Sequence, residues 1–108
     1  MPVTLTPIPC ACGQIVGYEI RMGREHHSAE ASDPYEGVCM AWERRTPDGR
    51  KWAYIGMAHG RIPPGDYWAV MEALIDLGYE WVAYEHDGKI SPPVTKFDVA
   101  RRRQRRER

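Results

Sequence analysis

The chain has 108 residues, room for one domain only. Hydrophobic residues make up 43% and there are four tryptophans, which excludes disorder throughout and supplies a packed core. Formal net charge is zero, but residues 101–108 hold six arginines and one glutamate, so a tail of +5 follows a body of −5.

Residues 1–14 contain Pro2, Pro7 and Pro9 and a Cys10-Ala11-Cys12-Gly13 turn, which reads as an extended N-terminal arm lying on the body. The start, Met1-Pro2-Val3-Thr4, lacks the basic region and long apolar stretch of a signal peptide. No run approaches the ~18 apolar residues that span a bilayer. Three cysteines, Cys10, Cys12 and Cys39, without a leader point to reduced thiols and a cytoplasmic location.

Residues 15–22 predict a first strand. Residues 23–36, with His26, His27, Ser32, Asp33 and Pro34, predict a loop longer than usual. Two apolar runs, Val38–Arg45 and Arg50–Met57, flank Thr46-Pro47-Asp48-Gly49. Proline presets φ there and Asp-Gly tolerates the left-handed conformation, so the segment predicts an antiparallel hairpin. Val38, Met40 and Trp42 share one face; Trp52, Tyr54 and Gly56 share one, and Ala53, Ile55 and Met57 the other. Both faces are apolar, so cover is expected on each.

Pro63-Pro64 ends the strand, and Asp66 reads as the N-cap of a helix over about 66–77. Tyr67, Val70, Met71 and Leu74 form its apolar stripe, extended by Ile75 and Leu77. Glu72 and Asp76 fall on the water side, and Gly78 fits the stop. Tyr79–His86 predicts another strand, making a strand–helix–strand crossover. Val94–Ala100 predicts a short edge element before the arginines. The fold class is α+β, a small, mostly antiparallel sheet of about three to five strands with one main helix on one face. The domain division is an arm over 1–14, one domain over 15–97 and a basic, flexible tail over 98–108.

The stretch from His59 to Lys89 resembles the closing half of a GNAT acetyltransferase. Its last strand, Gly78-Tyr79-Glu80-Trp81-Val82-Ala83-Tyr84-Glu85, is also similar to small bacteriophage accessory proteins that end in such a unit. The resemblance covers about thirty residues and implies a fold before an activity. GNAT enzymes hold a pyrophosphate on backbone N–H groups at a helix start. Here Pro63 and Pro64 remove two donors and Asp66 adds a negative charge. No cofactor is therefore expected, and a degenerate GNAT-type acetyltransferase is the third and weakest reading.

Cys10, Cys12 and Cys39 with His26 or His27 have poor zinc spacing, because one residue separates the first pair and no second pair exists. His26 and His27, beside Glu25 and Glu30, are adjacent and diverge. His59, Glu43, Glu85 and His86 lie near strand ends, but no nucleophile is marked. No metal site and no catalytic residue are assigned. The aromatics Trp42, Trp52, Tyr54, Trp68, Trp81 and Tyr84 would stack nucleobases if one sheet face were open and interleaved with cations.

Two readings follow. The first is a non-catalytic phage or mobile-element accessory protein in the cytoplasm of a bacterial host. It would bind a protein partner, for example as an inhibitor of a defence system such as CRISPR, because an acidic body fits a basic channel. Its expected contact residues are Arg44, Arg45, Arg50, Lys51, Trp52, Asp66, Glu72 and Asp76. The second is a nucleic-acid-binding module using Arg101, Arg102, Arg103, Arg105 and Arg106 together with the hairpin tip Arg44, Arg45, Arg50 and Lys51, since cations neutralise phosphates. A homodimer is compatible with either reading, and membrane insertion with neither.

Overall fold

Two antiparallel hairpins build the first half of the chain. The structure, a computed structural model, describes residues 3–22, 37–60, 64–86 and 88–106. The long loop expected over 23–36, with His26 and His27, lies outside those residues, as does Pro63. Strand β1 (Val3–Pro9) pairs with β2 (Ile15–Met22) from Val3↔Met22 to Pro9↔Ile15. Strand β3 (Gly37–Arg45) pairs with β2 on one side and β4 (Lys51–Gly60) on the other. Gly49, at φ 87°, makes the predicted β3–β4 turn, closed by Gly49 N–H donating to Thr46 O at 2.9 Å.

Helix α1 (Pro64–Asp76) then carries the chain to β5 (Trp81–His86), which lies parallel and adjacent to β4 through Ala53↔Val82 to Ile55↔Tyr84. The crossover expected from the sequence is thus present. Two short strands, β6 (Lys89–Ile90) and β7 (Val94–Thr95), pair antiparallel with β5. Helix α2 (Lys96–Arg106) ends the described chain. The sheet has seven strands and is mostly antiparallel, so the α+β class holds with more strands and one more helix than expected.

Three expectations are corrected. Residues 3–9 are the edge strand of the sheet rather than an arm lying on it. Val3 and Leu5 pack on the core, and proline is tolerated on an edge strand. Helix α1 begins two residues early, so Asp66 lies in its first turn instead of capping it. Pro64 occupies the first helical position, where a missing N–H costs nothing. The tail is helical as far as Arg106. Thr95 and Asp98 cap α2 reciprocally: Thr95 N–H donates to Asp98 Oδ2 at 2.9 Å, and Asp98 N–H donates to Thr95 Oγ1 at 3.2 Å.

The core lies between α1 and one face of the sheet. Val70, Met71 and Leu74 meet Ile20, Met22, Cys39, Ala41, Ala53, Ile55 and Val82, with Tyr67 packed alongside. Leu77 does not extend the stripe; it follows the helix and is exposed. Gly78, at φ 102°, closes α1: its N–H donates to Ile75 O at 2.9 Å, and Tyr79 N–H donates to Leu74 O at 3.4 Å.

One irregularity interrupts β3 and β4. The register shifts between Met40↔Gly56 and Val38↔His59, and Met57 takes φ 54° with its side chain exposed. It falls where β4 has passed the end of its pairing with β5.

A Cβ placed on Gly17 would lie 2.5 Å from Ala41 O and 2.8 Å from Trp42 Cε3. Gly17→Ala is expected to cost about 1–3 kcal/mol, because the nearer atom is backbone and cannot yield. Leu74→Ala, at the centre of the core, should cost about 2–5 kcal/mol. Urea unfolding followed by tryptophan fluorescence measures both.

Candidate functional site

Strand alternation sorts the aromatics. Ala53, Ile55 and Val82 point into the core, so Trp52, Tyr54 and Trp81 take the opposite face. Trp42, paired with Tyr54, joins them. Tyr84 is on the core side with Tyr67, their ring centroids 6.0 Å apart, and Trp68 is on α1. Four of the six aromatics named from the sequence therefore share one surface. Both helices lie on the core side, α2 docked beside α1. Among the described residues no helix or strand packs over the opposite face.

The rings on that face pack against one another. Trp52 and Trp81 stack with centroids 5.8 Å apart and planes 13° from parallel. Tyr54 meets Trp52 edge-on at 6.4 Å. The rings lie low because two strand positions carry no side chain. Trp42 covers Gly17, and Tyr54 covers Gly56, where a Cβ would be 3.2 Å from its ring. The hydroxyl of Tyr54 donates to Glu85 Oε2 at 2.5 Å, and this bond holds the phenol above its ordinary pKa.

Cations ring the platform at the hairpin tip. The Arg50 guanidinium lies 5.3 Å from the Trp81 ring and that of Arg44 6.0 Å from Tyr54. Arg45 pairs with Glu43 at 3.3 Å and Arg50 with Asp48 at 3.3 Å. Asp48 is held below the usual carboxylate range first by the Thr46 hydroxyl and then by Arg50. Lys51 turns the other way, its Nζ 4.8 Å from the Tyr79 ring. So Arg44, Arg50 and Trp52 are gathered at one end of that face, while Arg45, opposite Lys51 and paired with Glu43, lies with Lys51 on the α1 side; the four cations the sequence grouped are split between the two faces.

The remaining candidates sit elsewhere, and two sets cancel. Glu72 and Asp76, expected to face water, receive the arginines of α2. Arg103 reaches Asp76 Oδ2 at 2.9 Å and Glu72 at 3.5 Å, and Arg106 reaches Glu72 Oε1 at 2.9 Å. Arg101 pairs with Asp98, and the Arg102 guanidinium lies 4.4 Å from the Trp68 ring. Among the described residues only Arg105 of the five lacks a partner; it lines a cleft of about 480 Å³ with Trp68, Val94, Asp98, Arg101 and Gln104. The basic tail and the acidic residues of α1 meet each other.

Cys10 and Cys12 are joined as a disulfide with Cα atoms 5.3 Å apart, so the expectation of three free thiols is corrected; Cys39 is free and buried. Glu43 accepts from the Tyr79 hydroxyl at 3.0 Å. Among the described residues no group of three His, Cys, Asp or Glu is placed to hold a metal, and no helix is long and apolar enough to cross a membrane. The chain matches no protein-family model, no curated protein and no solved structure.

Two predictions follow from these contacts. Glu72→Gln removes the negative charge that Arg103 and Arg106 share, and should loosen α2 by about 1 kcal/mol, read as faster amide exchange over residues 96–106. Burial, then the bond to Glu43, push the Tyr79 phenol well above its ordinary range. The folded state therefore keeps a proton that the unfolded chain loses above about pH 10. Stability should fall as pH rises past that point, and Tyr79→Phe should flatten the fall, measured by urea midpoints across the alkaline range.

Proposed function

We propose that the chain is a non-catalytic binding protein whose working surface is the helix-free face of the sheet, and that its occupant is single-stranded nucleic acid. The observation that carries this reading is the near-parallel Trp52–Trp81 stack with Arg50 and Arg44 set against the rings, on a face that no helix or strand among the described residues covers. Unpaired bases stack on aromatic faces at about 1–3 kcal/mol each, without sequence preference. A guanidinium beside a ring neutralises the phosphate that follows the base and stacks at the same time. A duplex hides its base faces and would meet only the cations.

Charge weighs in the same direction. The defence-inhibitor reading needs an acidic surface free to enter a basic channel. Glu72 and Asp76 are instead neutralised by Arg103 and Arg106, which also takes those arginines out of phosphate contact. Nucleic-acid binding moves from the tail to the sheet.

Tryptophan quenching by a homopolymeric oligonucleotide tests the reading. Single-stranded DNA or RNA should quench and duplex should not. With about two phosphates neutralised, by Arg44 and Arg50, log K should fall with log salt at a slope of about −1.4. Trp52→Ala should weaken binding by about 5- to 150-fold, the worth of one stack. Equal affinity of that variant, or equal binding of duplex, would overturn the proposal. So would an unquenched protein that binds a protein partner through this face.

A further inference from the structure

The turn joining β1 to β2 carries a bond that the turn does not need. Cys10 N–H donates to Gln14 O at 2.8 Å and Gly13 N–H donates to Cys10 O at 2.9 Å. Gly13, at φ 89°, supplies the left-handed step, with nothing within 4 Å of where a Cβ would stand. On either side, β1 and β2 are paired from Val3↔Met22 to Pro9↔Ile15. Backbone hydrogen bonds thus close the hairpin without sulfur. A disulfide stabilises more the longer the chain it closes, rising as the logarithm of loop length. Only Ala11 lies between Cys10 and Cys12, so this one closes a minimal loop and constrains the chain least.

The pair is also accessible. Ala11, Cys12, Gly13 and Gln14 are exposed and Cys10 is half-buried. The turn lies at the same end of the sheet as the β3–β4 turn with Arg45 and Arg50, since β2 begins where the antiparallel β3 ends. The third cysteine cannot interfere. Cys39 is fully buried in the core, and desolvation pushes its thiol up to about 12, so it stays protonated and unreactive.

We propose that Cys10 and Cys12 form a surface dithiol–disulfide couple that exchanges with external thiols such as glutathione or a protein dithiol, without change of fold. In the reducing direction an external thiolate attacks the exposed Cys12 Sγ. The Cys10–Cys12 bond breaks and Cys10 Sγ leaves as a thiolate, which takes a proton from water. A second external thiolate attacks the external sulfur of the mixed disulfide, releasing the Cys12 thiolate and an external disulfide. Two electrons pass to the Cys10–Cys12 pair, and two external thiols are oxidised. The reverse needs only an oxidised external disulfide.

Alkylation followed by mass spectrometry tests this on the full chain. As isolated under oxidised glutathione, the native protein should take no iodoacetamide label. After dithiothreitol without denaturant it should take label at Cys10 and Cys12, and at Cys39 only once unfolded. Oxidised glutathione should then abolish labelling at the pair, with unchanged circular dichroism in both forms. Cys10→Ser should stop at a single glutathione adduct on Cys12, because no resolving thiol remains. The proposal is overturned if the pair resists dithiothreitol until denaturant is added. It is overturned equally if Cys39 labels in step with the pair, or if the reduced form collects two glutathiones rather than reclosing.

Discussion

The stripe Tyr67, Val70, Met71 and Leu74 buries itself against Ile20, Cys39, Ala41, Ile55 and Val82, and this contact makes one face of the sheet dry. Helix α1 is placed there by the parallel crossover from β4 to β5, which returns the chain to the neighbouring strand over a single face. Its end is fixed by Gly78, where Tyr79 and Leu74 are tied by a backbone hydrogen bond and both enter the core. The opposite face has to manage its own apolar surface. It does so by laying rings on glycines and on one another, which shields each ring in part where no helix or strand among the described residues covers them.

The second helix answers a different problem. An arginine run this dense repels itself, and an isolated helix of it would be poor. Asp98 caps the helix in its first turn and accepts from Arg101, and backbone and side-chain bonds from Thr95 and Arg101 hold its carboxyl low. Val99 is buried and Arg102 lies on Trp68, so the stem contributes packing as well as charge. Glu72 and Asp76 then draw off the remaining repulsion. The asymmetry of charge between body and tail is resolved inside the molecule.

Much of this was legible in the sequence because local chemistry and tertiary packing agree over residues 38–86. Asp-Gly in the hairpin turn, the stripe on α1 and Gly78 at its end each find their predicted place. The misreadings came where a local signal was ambiguous. Proline at positions 7 and 9 argued against a strand, although edge strands admit it. Thr95-x-x-Asp98 was a capping signature standing before the arginines, outweighed by their mutual repulsion. The open aromatic face was visible as alternation, but whether anything covered it depends on where the helices go. The disulfide was not legible, because a cysteine pair with one residue between fits a free-thiol turn as well as a closed one.

The edge strand has one further consequence. A free β edge is a template on which another chain can hydrogen-bond and from which fibrils grow. In β1 the prolines at positions 7 and 9 lie opposite Tyr18 and Ile15, and proline on an edge strand sits where its N–H would have pointed outward. That rim therefore lacks two of the donors an incoming strand would need. The same residues that disguised the strand in the sequence stop the sheet from growing sideways into an aggregate.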